Sequence, residues 1–314
     1  MDMEGLQRGT RATARRALKF VVLTVCAALG LALASAPALA KTLSKKPKAP
    51  KITIHTPVTP GSGYLALGDS VTFGYEEQQV VPAPNYADAS SFVAYPEMLG
   101  SELHLTVANA ACPGETSSSL IDPTAQSNGC ETAPGGGPAY RPMFPLHVKY
   151  SGSQLDYAVS YLNKHKNVRL VSLMIGADDL LLCQETNADH CASLTEQAAV
   201  LGTVGKNVTT ILSAIRNKAH YSGQIAFVNY YSPTSAQDTS TAVGDQSIDT
   251  AAKPFHVEIA DGLGEFATAS LHSGGDPCKA GLLTQLSTGG CGIHASYAGQ
   301  SLLAQALEKA IHIG

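Results

Sequence analysis

The sequence predicts an α/β fold, a parallel sheet with helices on both faces, and three observations carry that expectation. Short apolar runs at 64–67, 105–108, 168–175 and 224–231 have the length and β-branched or aromatic content of buried strands. Between them lie segments with helical spacing of a dozen or more residues, long enough to return the chain for parallel pairing. The strands run into small-residue turns such as Gly68-Asp69-Ser70 and Gly176-Ala177-Asp178-Asp179. Right-handed crossovers then place every strand's carboxyl end on one edge, where ligands and chemistry collect in open α/β sheets. No internal repeat or composition break interrupts 61–314, so one domain is expected there.

Two segments precede that domain. Arg8, Arg11, Arg15, Arg16 and Lys19 lead into an apolar run from Phe20 to Leu33 and then Ala38-Leu39-Ala40. A basic head, an apolar middle and a small-residue cleavage site read as a secretory signal peptide over 1–40. The run is short for a membrane span, which needs about 20 apolar residues, so no stable span is expected once it is removed. Residues 41–60 are rich in Lys and Pro and read as a solvated linker.

Within the domain, Phe92–Leu103 reads as a helix that starts in earnest at Pro96. Leu105–Ala108 is a short strand that leads into Asn109-Ala110-Ala111-Cys112-Pro113-Gly114-Glu115-Thr116. Gln154–Lys164 places Leu155, Ala158, Val159 and Leu162 on one helical face, and Val168–Ile175 is the strongest strand pattern in the chain. Leu194–Lys218 reads as a long helix and Gln224–Tyr231 as a strand. Thr239–Ser270 is partly helical, broken at Pro254 and Gly262, and Ala295–Ile311 is a final helix. The segments 75–93, 121–150 and 273–292 read as loops. The first two are expected to set substrate length, with Tyr75, Tyr140 and Phe144 either lining a pocket or packing the loops.

Charge narrows the function classes. The chain has 21 Lys+Arg against 25 Asp+Glu, and five basic and two acidic residues fall within 1–40, leaving 16 against 23. Five of the remaining lysines (Lys41, Lys45, Lys46, Lys48 and Lys51) precede Gly61, so the domain carries 11 basic and 23 acidic residues, a formal −12. Such a balance cannot build a face that tracks phosphates, which argues against nucleic acid as a partner. Six cysteines remain beyond Cys26, and their spacing favours Cys112–Cys130, Cys183–Cys191 and Cys278–Cys291. Each bridge closes a loop worth about 2–4 kcal/mol, and an even count fits an exported or cell-surface protein. No Cys-x-x-Cys, His-Glu-x-x-His, Gly-x-Ser-x-Gly or phosphate-binding glycine motif occurs, so neither a metal nor a cofactor is expected.

Four segments taken together resemble the blocks of the GDSL, or SGNH, hydrolases. They are Gly68-Asp69-Ser70 with Phe73-Gly74, Asn109 through Thr116 centred on Gly114, Gly176-Ala177-Asp178-Asp179, and Gly292-Ile293-His294 with Ala298-Gly299. The resemblance spans nearly all of 61–314. It implies a three-layer α/β/α, flavodoxin-like sandwich and an ester hydrolase of the carboxylesterase or lipase type. It assigns the nucleophile to Ser70, the general base to His294, and the oxyanion hole to the N–H groups of Ser70 and Gly114 with the residue at 178. A hydroxyl needs a neighbouring base to become a nucleophile, and imidazole serves near neutral pH.

Two positions depart from the family pattern. The oxyanion asparagine is Asp178, whose ionised carboxylate can only accept hydrogen bonds. Asp178 is then protonated, or turned away, or catalysis is weak. The aspartate three residues before the histidine is Cys291. The expected substitute is a main-chain carbonyl near Gly289–Cys291, with Asp276, held near by a Cys278–Cys291 bridge, as the second candidate. The leading expectation is a secreted serine hydrolase of lipid or acylated-carbohydrate esters. The alternative is a catalytically impaired relative that binds at the cell surface.

Overall fold

The computed structural model describes residues 56–314. The expected signal peptide and most of the linker lie outside the described residues.

Five parallel strands form the central sheet: β1 (Gly63–Gly68), β2 (Thr106–Asn109), β3 (Val168–Met174), β4 (Gln224–Val228) and β5 (Glu258–Ala260), in the order β2-β1-β3-β4-β5. The order reverses beside β1, so the end of β1 sits at the switch point where open α/β sheets bind ligands. Every residue of β1 is buried, as a central strand covered on both faces requires. Its side chains divide by the two-residue period. Leu65 and Leu67, with Val171, Leu173 and Phe227, face helices α4 (Gln154–Lys164), α6 (Leu194–Ser213) and α7 (Asp238–Ala252). Tyr64 and Ala66, with Leu170, Met174 and Val228, face α2 (Tyr95–Glu102), α8 (Gly262–Ser270) and α9 (Tyr297–Ala310). The result is three layers, α/β/α. Truncating a fully buried leucine of the middle layer, Leu65→Ala for instance, is expected to cost about 2–5 kcal/mol.

Local chemistry explains the helix boundaries. The Ser153 hydroxyl accepts from the Asp156 N–H at 3.0 Å and starts α4, whose Leu155, Ala158 and Leu162 are buried. Ser296 caps α9 through the Gly299 N–H at 3.2 Å. Helix α6 with the π-helical turn after it (Ala214–Lys218) is long and apolar enough in composition to cross a membrane. Here, Val204, Val208, Ile211 and Leu212 are buried in the core against the sheet.

Several elements differ from the sequence-based expectation, among them the one-turn helix α3 (Tyr140–Met143) inside the expected 121–150 loop. The stretch after Pro254 contains β5, whose three residues are too few to show a period. The 273–292 loop hides most of an antiparallel hairpin, β6 (Leu283–Gln285) and β7 (Cys291–Ala295). Helix α5 (Ala177–Thr186) follows β3 directly; Asp178 is its only buried residue, so it lacks the apolar stripe that would reveal it. The three cysteine pairs are those expected: Cys112–Cys130, Cys183–Cys191 and Cys278–Cys291.

Candidate active site

The site grows out of the end of β1. Gly68 has φ +150°, and a Cβ there would meet the Met174 carbonyl oxygen at 2.3 Å, so only glycine fits. Gln154, at the start of α4, clamps this point from below: its Oε1 accepts from the Gly68 N–H at 2.6 Å and its Nε2 donates to the Gly68 carbonyl at 3.0 Å. The chain then turns into the one-turn helix α1 (Ser70–Phe73), capped by Asp69, whose Oδ1 accepts from the Val71 N–H at 3.0 Å. Gly74, left-handed at φ 83°, ends it. Ser70 is the first residue of α1, so its backbone N–H has no partner within the helix.

His294 arrives on β7, and its Nε2 lies 3.0 Å from the Ser70 Oγ. Its other ring nitrogen, Nδ1, lies 2.8 Å from Oε1 of Glu77, in the loop after α1. The same oxygen accepts from the backbone N–H groups of Ile293 at 2.8 Å and His294 at 3.2 Å. Thr284 of β6 donates to Glu77 Oε2 at 2.6 Å. Burial pushes the Glu77 carboxyl up, but hydrogen bonds from His294 and Thr284 and the imidazole's charge outweigh it and hold the pKa at about 2. An ionised Glu77 can only accept, so Nδ1 carries the proton and Nε2 is left with its lone pair toward the Ser70 hydroxyl. Tyr75 closes the arrangement from the side, its ring centroid 5.0 Å from that of His294 and nearly perpendicular to it.

Neither substitute expected for the missing acid fills that role. Asp276 is turned onto its own segment: Oδ1 accepts from the Lys279 N–H at 3.2 Å and Oδ2 pairs with the Lys279 ammonium at 2.9 Å. The main chain near Gly289–Cys291 is excluded because the Nδ1 position is taken by Glu77. Cys291 is consumed in its disulfide with Cys278. Glu77 was missed because it belongs to an irregular polar loop and meets its partner 217 positions away. The only sequence signal was a pair of acidic residues, Glu76-Glu77, shortly after the Gly-Asp-Ser turn.

Asp178 occupies the first turn of α5 and lines the same cavity as Ser70 and His294. Gly114 is not among the residues that line the cavity; its φ is +79°, and a Cβ there would meet the Asn128 carbonyl at 2.7 Å. The Asn128 N–H donates to the Gly114 carbonyl at 2.8 Å, and its side-chain amide donates to Asp178 Oδ1 at 3.0 Å. The Cys112–Cys130 bridge ties together the two loops that carry Gly114 and Asn128. Those cysteines and Glu115 have metal-ligand proximity, but both thiols are spent in the bridge.

From Ser70 a cavity of about 610 Å³ runs between α5, α6 and α7, walled by apolar side chains including Leu181, Leu201, Val204 and Ile248. Among the described residues, no Lys or Arg lines it. Its lining comes mainly from α5, α6, α7 and the segment after β4, with no residue of 75–93 or 121–150, so the expectation that those loops shape it is corrected. Tyr75, Tyr140 and Phe144 pack with Phe73, Phe92 and Tyr86 in an aromatic cluster that holds those loops down, and none of them lines the cavity.

The profile described as "GDSL-like Lipase/Acylhydrolase family" matches residues 66–302. The chain belongs to this family. Solved structures at low identity share the fold. The chain is similar to phospholipase A1 from Streptomyces albidoflavus NA297 at 19% identity and TM-score 0.51, over 80% of this chain and 99% of that one. It is similar to the acetylxylan esterase Axe2 from Geobacillus stearothermophilus at 14% identity and TM-score 0.50, over 82% and 97%. Among curated proteins no sequence matches. Membership of the GDSL family supports a hydrolase of ester substrates.

Proposed function

We propose that the protein is an exported serine ester hydrolase of the carboxylesterase or lipase type. It acts through an acyl-enzyme on Ser70, with His294 as general base and Glu77 as the acid that orients it. The observation that carries this reading is the continuous hydrogen-bonded line from the Ser70 hydroxyl through the imidazole to a carboxylate. Ser70 Oγ attacks the ester carbonyl carbon while its proton passes to His294 Nε2. The imidazolium that forms is held by ionised Glu77, which keeps the ring in the correct tautomer. The Ser70 N–H and the Gly114 N–H stabilise the tetrahedral oxygen. His294 then returns the proton to the leaving alcohol, and water releases the acid by the same steps in reverse order.

The cavity supports an acyl chain of medium to long length on the acid side of the ester. Its lining is mostly apolar, contains no Lys or Arg among the described residues and includes Ser70, and burying a methylene in such a site is worth about 0.8 kcal/mol. Leu194, 81% exposed, Val243 and Ile293 also line it and give it a greasy rim. Three disulfides suggest an extracytoplasmic setting, and the basic-apolar leader supports export. A panel of p-nitrophenyl esters from acetate to palmitate, run on the protein and on Ser70→Ala, tests this reading. Turnover that favours longer chains and vanishes in the variant supports it; no turnover of any ester contradicts it.

A further inference from the structure

We propose that Asp178, as a neutral carboxylic acid, donates a hydrogen bond to the oxyanion, in the place where the family pattern has an asparagine amide. This rests on the ester-hydrolase reading of Ser70 and asks how that site works with a carboxyl group in its wall.

The backbone fixes the placement. Gly68 of β1 pairs with Met174 of β3, so Ser70 and Asp178 both emerge on the first turns of helices that leave neighbouring strands at the same edge. Both line the cavity together with His294. The side chain is 5% exposed. Its Oδ1 accepts from the Asn128 amide at 3.0 Å, which marks Oδ1 as the carbonyl oxygen of the acid. Among the described residues Oδ2 has no hydrogen-bond partner, and the side chain lines the cavity, which leaves Oδ2 to carry the hydroxyl.

The surroundings favour the proton on Asp178 over its neighbour. The titratable groups that face it are Asp69 from the β1–α1 turn, Asp179 on its own helix, Glu115 from the loop after β2 and Tyr230 after β4. Within the described residues no Lys or Arg is among them, and His294 shares the cavity. Asp69 and Asp178 are two buried carboxyls in one pocket, and like charges so placed do not both ionise. Asp69 is the better anion, since it accepts from the Val71 N–H at 3.0 Å and from the Tyr230 hydroxyl. Asp178 has one donor, Asn128. Burial, reinforced by the Asp69 charge, pushes the Asp178 pKa well above the usual carboxylate range, and burial less the help of those donors leaves Asp69 at about 6. An ionised carboxylate at this spot would repel the tetrahedral oxygen, whereas a protonated one stabilises it.

The experiment is the pH profile of kcat/KM for p-nitrophenyl butyrate with the full-length protein, Asp178→Asn and Asp178→Ala. Melting curves establish that each variant is folded, and organophosphonate labelling of Ser70 is run alongside. The wild type should lose activity as Asp178 deprotonates on the alkaline side. Asp178→Asn, which donates at every pH, should gain on the wild type as pH rises and shift the alkaline limb upward. Asp178→Ala should fall roughly 10²-fold, the loss of one oxyanion donor, while Ser70 remains labelled. An Ala variant within threefold of wild type, or an Asn variant with an unmoved alkaline limb, overturns the proposal with the hydrolase reading intact. Absent turnover and absent labelling in the wild type overturn both.

Discussion

Glu77 and His294, 217 positions apart, are joined by two hydrogen bonds to one carboxylate oxygen: the ring Nδ1 at 2.8 Å and the backbone N–H at 3.2 Å. The carboxylate therefore fixes the ring and the strand that carries it. Replacing it should harm catalysis far more than folding. Glu77→Gln is expected to lower kcat by roughly 10²–10⁴-fold, in the range known for an orienting acid made neutral, with KM little changed. Asp276→Ala should stay near wild type, because Asp276 spends its oxygens on Lys279. Steady-state kinetics of the two variants side by side check this.

The cavity wall sets chain length in this account. Leu201→Trp, on the α6 side, should cut kcat/KM for laurate and palmitate esters by about tenfold or more, as overfilling an apolar pocket does. Acetate turnover should hold. The ratio of long- to short-chain rates is the quantity to measure.

Buried acids make stability fall as pH rises. Burial and the Glu131 charge push Glu115 up to about 8, although Ser119 and Gln154 donate to it. Burial pushes Asp245 up to about 7. Below the unfolded-chain value of about 4 both states hold these protons. Between there and the folded value only the native state does, so unfolding releases protons and ΔG drops with pH, by at most about 1.4 kcal/mol per pH unit for each group. Melting temperatures should decline from mildly acidic pH toward pH 8, and Glu115→Gln should flatten that slope.

Much of this was legible in the sequence, for a physical reason. Ser70, Gly114, Asp178 and His294 sit in contiguous blocks whose turn glycines and caps are local requirements, and β1, β3 and α4 have clean periods. What escaped depends on tertiary contact. Glu77 acquires its partner only when the β6–β7 hairpin folds over the loop after α1. Asp276 looked suitable because a disulfide brings its segment near, but a lysine three residues on captures its carboxylate first. The sequence points to loops 75–93 and 121–150 for chain length, whereas α5 shows no apolar stripe because its leucines face a hollow rather than the core.

The most direct measurement is intact-mass and peptide mass spectrometry after exposure to an organophosphonate ester, with p-nitrophenyl butyrate turnover followed in the same sample. The account predicts one adduct, on Ser70, formed in step with loss of activity, and neither adduct nor turnover in Ser70→Ala. Turnover that survives Ser70→Ala, or a folded wild type that neither reacts nor hydrolyses, would contradict it.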